Sequence, residues 1–111
     1  MRVHYVELNE VKYPLVLSNR ATMELESKGY ELSGEGFQKA ATSMTFVMTM
    51  LHLMMQSGER WAKKMGRPTP EVPTLEDLAD MTDMGDLEKI TDVLSEAIDG
   101  ERHVEATPPK N

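Results

Sequence analysis

Two short extended runs, followed by stretches of helical spacing, make up the apolar pattern of this chain. Residues 3–8, Val-His-Tyr-Val-Glu-Leu, and 11–17, Val-Lys-Tyr-Pro-Leu-Val-Leu, are rich in β-branched and aromatic side chains. Such runs favour extended backbone, and the brief Asn9-Glu10 connection predicts a β-hairpin. Pro14 has no N–H to give to a ladder and belongs on an edge or at a bulge. Ser18 or Asn19 is placed to cap a short helix reaching about Lys28, with Gly29 to end it. Ala21 and Leu25 lie four apart on one face of that helix, consistent with packing on the hairpin.

Gly34 and Gly36 then break the chain, and Phe37 opens a long helix. Phe37, Ala40, Ala41, Met44, Met48, Leu51 and Met55 follow the three-and-four spacing of one apolar stripe, with Phe46, Val47, Met50, Leu53 and Met54 on its flanks. From Ala40 to Gly58 the only ionisable side chain is His52. A helix apolar nearly all round is buried on several sides, docks another chain or faces lipid. The run includes Thr42, Ser43, Thr45, Thr49, Gln56 and Ser57, and its dense apolar centre is short for a hydrocarbon layer of ~30 Å, which favours burial. Beyond Gly58 the helix turns amphipathic, with Arg60, Lys63, Lys64 and Arg67 around Trp61 and Met65.

Residues 66–73, Gly-Arg-Pro-Thr-Pro-Glu-Val-Pro, form a linker that no helix crosses. Thr74-Leu-Glu-Asp77 resembles a capping box with Asp in place of Glu and starts a short helix. A last helix begins near Asp86, carries Leu87, Ile90, Leu94, Ala97 and Ile98 on one stripe, and ends at Gly100. The fold class is therefore α+β, mainly α: an N-terminal β-hairpin followed by about four helices, one long and apolar. Residues 1–100 read as a single domain and 101–111, with two prolines and few apolar side chains, as a disordered tail.

Composition changes this picture in two respects. With 40% hydrophobic and 28% charged residues and no cysteine, the chain can bury a core but has no disulfide, thiolate metal site or cysteine nucleophile. Its N-terminus lacks the apolar core of a secretory signal, so the expected compartment is a cytoplasm. The net charge of −7 is uneven: residues 1–70 hold nine Lys/Arg against seven Asp/Glu, and residues 71–111 hold three against twelve. An acidic C-terminal half argues against nucleic-acid binding there. It is either a solvated face or a surface for a basic partner.

Candidate chemistry is sparse. Asp80, Asp83 and Asp86 are three apart, whereas a calcium loop needs acidic ligands two apart and a glutamate at its twelfth position; this spacing marks helix starts. His4, His52 and His103 fall in a strand, a helix and the tail, and His52 reads as a satisfied core histidine. Gly34-Glu35-Gly36 is too small a pattern for a phosphate loop. No catalytic residue, metal or cofactor is expected, and the basic turn around Trp61 reads as a solvated face, as a partner for the acidic C-terminal helices, or as a contact for an anion. The ten methionines either fill core gaps or form a pliable surface for a partner helix, because flexible thioethers repack against many shapes.

The order of these elements resembles the tail assembly chaperones of long-tailed bacteriophages and related prophages. The strand with Val11, Tyr13, Pro14, Leu15 and Leu17 is similar to the opening strand of that family. It is followed directly by a helix carrying Met23-Glu24-Leu25-Glu26, then by the long helix, the proline linker and a last amphipathic helix leading to a charged tail. The likeness covers most of the chain; the methionine content and the Gly34–Gly36 break depart from it. The resemblance implies a non-catalytic protein of the bacterial host cytoplasm, absent from the mature virion, that binds the tape-measure protein during tail-tube assembly, self-associates and meets the tail tube protein. It implies no membrane and no nucleic acid. On that reading the outward flank of the long helix, Phe46, Met50 and Met54, together with Trp61, carries partner or self contacts, while Met44, Met48, Leu51 and Met55 are core. The family is commonly made in a short and a frameshift-extended form, and Pro109-Lys110-Asn111 is compatible with codons that contain a slippery heptamer. Two other readings stay open: a structural head–tail connector or tail-completion protein, and a small holin-like membrane protein using residues 40–58.

Overall fold

A computed structural model describes residues 2–106. It begins with an antiparallel hairpin of β1 (His4–Leu8) and β2 (Val11–Leu15), in register with His4 opposite Leu15 and Leu8 opposite Val11. Asn9 and Glu10 both take positive φ, 50° and 65°. That is the two-residue turn whose twist matches the strands it joins. Five helices follow: α1 (Asn19–Ser27), α2 (Gly34–Ala40), α3 (Met44–Lys64), α4 (Leu75–Met81) and α5 (Met84–Ala106). The class is α+β and mainly α, as the apolar pattern predicts.

Helix α3 is the axis of the molecule. Strand β2 and helices α1, α4 and α5 all pack on it, and β1 packs on α5. From Phe46 to Gly58 no residue of α3 is exposed. The hairpin docks closely: the Val16 N–H donates to the Met54 carbonyl at 3.2 Å, and a Cβ on Gly58 would collide with the Pro14 carbonyl. Glycine at position 58 therefore sets how near the sheet approaches the helix. Val6, Leu8, Tyr13 and Leu15 of the hairpin share one core with Leu25, Leu51, Met55, Leu78 and Leu94.

Several expectations are corrected. The helix foreseen from Phe37 is two helices, which raises the count to five. The Thr42 hydroxyl donates to the Lys39 carbonyl at 2.7 Å, and the Ser43 hydroxyl accepts from the Phe46 N–H at 3.3 Å; adjacent hydroxyls thus close one helix and cap the next. The break falls at residues 30–33; Gly34, at φ 66°, starts α2, and Gly36 lies within it. Helix α3 is long but not apolar along its length, since Thr45, Thr49, Gln56 and Ser57 interrupt it and Glu59, Arg60, Lys63 and Lys64 close it. Among the described residues no helix is long and apolar enough to cross a membrane, which counts against the holin-like alternative using residues 40–58. Helix α1 buries Ala21 and Leu25 against α3 rather than on the hairpin. Gly100 does not end α5, which runs into the foreseen tail as far as Ala106; residues 107–111 lie outside the described residues.

The helix ends are set locally. Thr74 caps α4 by accepting from the Asp77 N–H at 3.1 Å. At the start of α5 the Asp83 carboxylate accepts from the Gly85 N–H at 2.9 Å, and Asp86 accepts from the Asp83 N–H at 3.1 Å. These two carboxylates form a reciprocal capping box. His52 Nε2 donates to the Pro73 carbonyl at 2.9 Å, tying the proline-rich linker to α3.

Candidate functional site

Two grooves of opposite chemistry lie at the two ends of α3. At its N-terminal end Met44 and Met48 face the α4–α5 corner, where Ala79, Thr82, Asp83, Met84, Leu87 and Ile90 complete a groove of about 310 Å³. The corner is fixed by the Asp83–Asp86 capping box and by the Thr82 hydroxyl, which donates to the Leu78 carbonyl at 3.0 Å. Met44 is 47% exposed and Met84 73%. Two unbranched thioethers standing in water over an apolar floor of Met48 and Ile90 make a surface that can adapt to apolar side chains of varied shape.

At the C-terminal end, Val16, Ser18, Arg20, Ser57, Arg60, Trp61 and Lys64 enclose a second groove of about 410 Å³. A chain of hydrogen bonds organises it. The Ser18 hydroxyl accepts from the Ala21 N–H at 3.1 Å and meets the Ser57 hydroxyl at 2.8 Å; Arg60 Nη2 donates to Ser57 Oγ at 2.9 Å. Burial and then the neighbouring Arg20 lower the Arg60 pKa, partly opposed by Glu59 and Glu24; an arginine so placed keeps its charge. Helix α3 ends with Gly66 at φ 69°, a left-handed position that glycine adopts without steric cost. The turn brings the Arg67 guanidinium over the Trp61 ring, 5.2 Å from its centroid.

The expected site residues are divided by the structure. Phe46, Met50 and Met54 are buried, at 1%, 0% and 0% exposure, which corrects their placement on an outward flank. Phe46 sits edge-on to Tyr30 and Phe37, with ring centroids 5.0 and 5.9 Å away. Met50 faces α5, lining a small cavity with Leu94. Met54 lies under the hairpin through its bond from Val16. Of the four, Trp61 alone stands on a groove. Met44, expected in the core, is exposed, whereas Met48, Leu51 and Met55 are buried as expected.

Sequence reasoning missed Met84 and Arg20. Met84 lies between capping residues in an acidic stretch, where no apolar periodicity signals it. Arg20 lies forty positions before Arg60, and only the packing of α1 on α3 brings the two together. Among the described residues no ion pair joins the basic turn to the acidic C-terminal helices; Lys63 pairs with Glu59 and Lys89 with Asp86, each at 3.7 Å. Asp83 and Asp86 are accounted for as caps.

Compared with family models, with curated proteins and with solved structures, the chain matches none.

Proposed function

We propose that the chain is a non-catalytic binding protein of the tail-assembly-chaperone kind, which holds helical segments of a phage tape-measure protein in the methionine groove. The observation that carries this reading is the convergence of Met44, Met48 and Met84 on one open apolar surface. A tape-measure protein is a long helix with many successive, differing apolar faces. A groove walled by flexible thioethers accepts such a series better than a rigid one would. The order of elements supports the same reading: a hairpin with Tyr13-Pro14-Leu15, a long central helix, a proline linker and a last amphipathic helix. An acidic C-terminal half keeps a loaded complex dispersed. Modest affinity per copy, multiplied over neighbouring copies, permits release as the tube grows. The protein then acts in the host cytoplasm, contacts its own copies and the tail tube protein, and is absent from the finished particle.

The test is co-expression with a phage tape-measure protein, comparing the wild type with a variant carrying Met44→Asp and Met84→Asp. The wild type is expected to keep the tape measure in the soluble fraction and co-purify with it, and the variant to fold but fail in both. A tape measure equally soluble with and without the chain would overturn the chaperone reading. Recovery of the chain in purified particles at fixed copy number would replace it with a structural connector.

A further inference from the structure

The groove at the C-terminal end of α3 is built differently from the methionine groove, about 18 Å away along the helix from Met48 to Arg60 at the usual rise per residue. Arg20, Arg60 and Lys64 converge on it, and none of the three forms an ion pair with a carboxylate of the described residues. The positive end of α1 opens onto it as well, and no acidic residue occupies the first turn of that helix. Ser18 caps one N–H of this helix start, and no acidic side chain offsets the positive end of its dipole. Positive charge is gathered here in a chain whose net charge is −7, and Glu59 and Glu24 act on Arg60 only from beyond ion-pair distance. The walls, however, are apolar: Val16 is buried, and the half-buried Trp61 ring is backed by Arg67.

We infer that this groove binds an acidic peptide segment of a partner protein, with carboxylates on Arg20, Arg60 and Lys64 and an apolar side chain against Val16 and Trp61. Guanidinium forks match carboxylates in geometry. The Ser18–Ser57–Arg60 bonds hold one of these forks in place before a ligand arrives, which lowers the ordering cost of binding. A long polyanion such as nucleic acid meets the repulsion of the whole chain, whereas a short acidic segment carries few charges and gains from the apolar wall. The inference goes beyond the tape-measure reading and does not depend on it, because it uses none of the methionine-groove residues.

Trp61 is the sole tryptophan, so its emission reports directly on the groove. The experiment titrates the full chain with a short acetylated and amidated peptide of glutamate and leucine, and in parallel with inorganic phosphate and oligothymidine. The peptide is expected to shift Trp61 emission saturably, and more weakly as salt is raised. The exposed-site changes Arg20→Gln and Lys64→Gln should each weaken binding about tenfold, the loss of one hydrogen bond to a charged group, without altering the far-ultraviolet dichroism. The Met44→Asp, Met84→Asp variant should bind the peptide as the wild type does. An unchanged emission, or an affinity indifferent to Arg20→Gln and Lys64→Gln, would overturn the proposal. Tighter binding of oligothymidine or phosphate than of the peptide would assign the groove to phosphate ligands instead.

Discussion

The two ends of α3 differ in almost every property except the rod that joins them. At the N-terminal end the Met44 and Met84 thioethers are exposed over an apolar floor, with the Asp83 carboxylate at the edge. At the C-terminal end stand guanidinium and ammonium groups beside an indole. Between them lies a stretch from Phe46 to Gly58 with no exposed residue. The contrast teaches that the methionines of this helix perform two jobs by position alone. Met48, Met50, Met54 and Met55 fill the irregular space between four packing elements, where a flexible side chain adapts to uneven walls. Met44 and its neighbour across the corner, Met84, use the same flexibility in water.

The comparison breaks most completely if the rod itself is broken. Met50→Asp places an unpaired carboxylate at a position of 0% exposure, and should cost about 4 kcal/mol or more. Urea unfolding monitored by dichroism should find the variant largely unfolded, with both grooves lost together. A folded Met50→Asp monomer would restore the outward-flank placement of that residue.

Gly58→Ala sharpens the contrast, because it acts near the basic end. A Cβ there meets backbone atoms of Pro14, which cannot swing aside as a side chain can. A cost of about 3 kcal/mol is expected, read as a lower urea midpoint, and Trp61 emission in the folded state should shift while the methionine groove is spared. Met44→Asp and Met84→Asp act at the other end. Each should change stability by no more than about 0.5 kcal/mol, as exposed substitutions do, and neither should move Trp61 emission. A comparably small effect is expected where neither end is touched. Glu10→Gly relieves a non-glycine residue at φ 65° but adds chain entropy to the unfolded state. The two terms leave a net gain of about 0.5 kcal/mol, visible as a slightly raised melting temperature.

Much of the fold was legible because local chemistry and apolar period agreed. The hairpin, the caps at Ser18 and Thr74, the end of α1 at Gly29 and the stripe of Ile90, Leu94, Ala97 and Ile98 all rest on near neighbours in sequence. The break at Thr42-Ser43 was written in two hydroxyls, but the apolar spacing on either side continues through it and masks it. The candidate site was less legible. Spacing along a helix says which residues share a face; it does not say how many faces are covered. A wheel drawn for one partner puts Phe46, Met50 and Met54 outside, whereas α3 is enclosed by β2, α1, α4 and α5. Both grooves depend on residues distant in sequence, Met44 with Met84 and Arg60 with Arg20, so neither has a local motif.

The central claim, that a helical partner lies in the methionine groove, is tested most directly by labelling the methionine methyl groups and adding a helical segment of the tape-measure protein. Of the nine methionines among the described residues, Met48, Met50, Met54 and Met55 are buried, Met23, Met44, Met65 and Met84 are exposed, and Met81 lies between. The account predicts large shifts at Met44 and Met84, a smaller one at Met48, and none at Met50 and Met54. Shifts absent from Met44 and Met84 while the segment binds would contradict it.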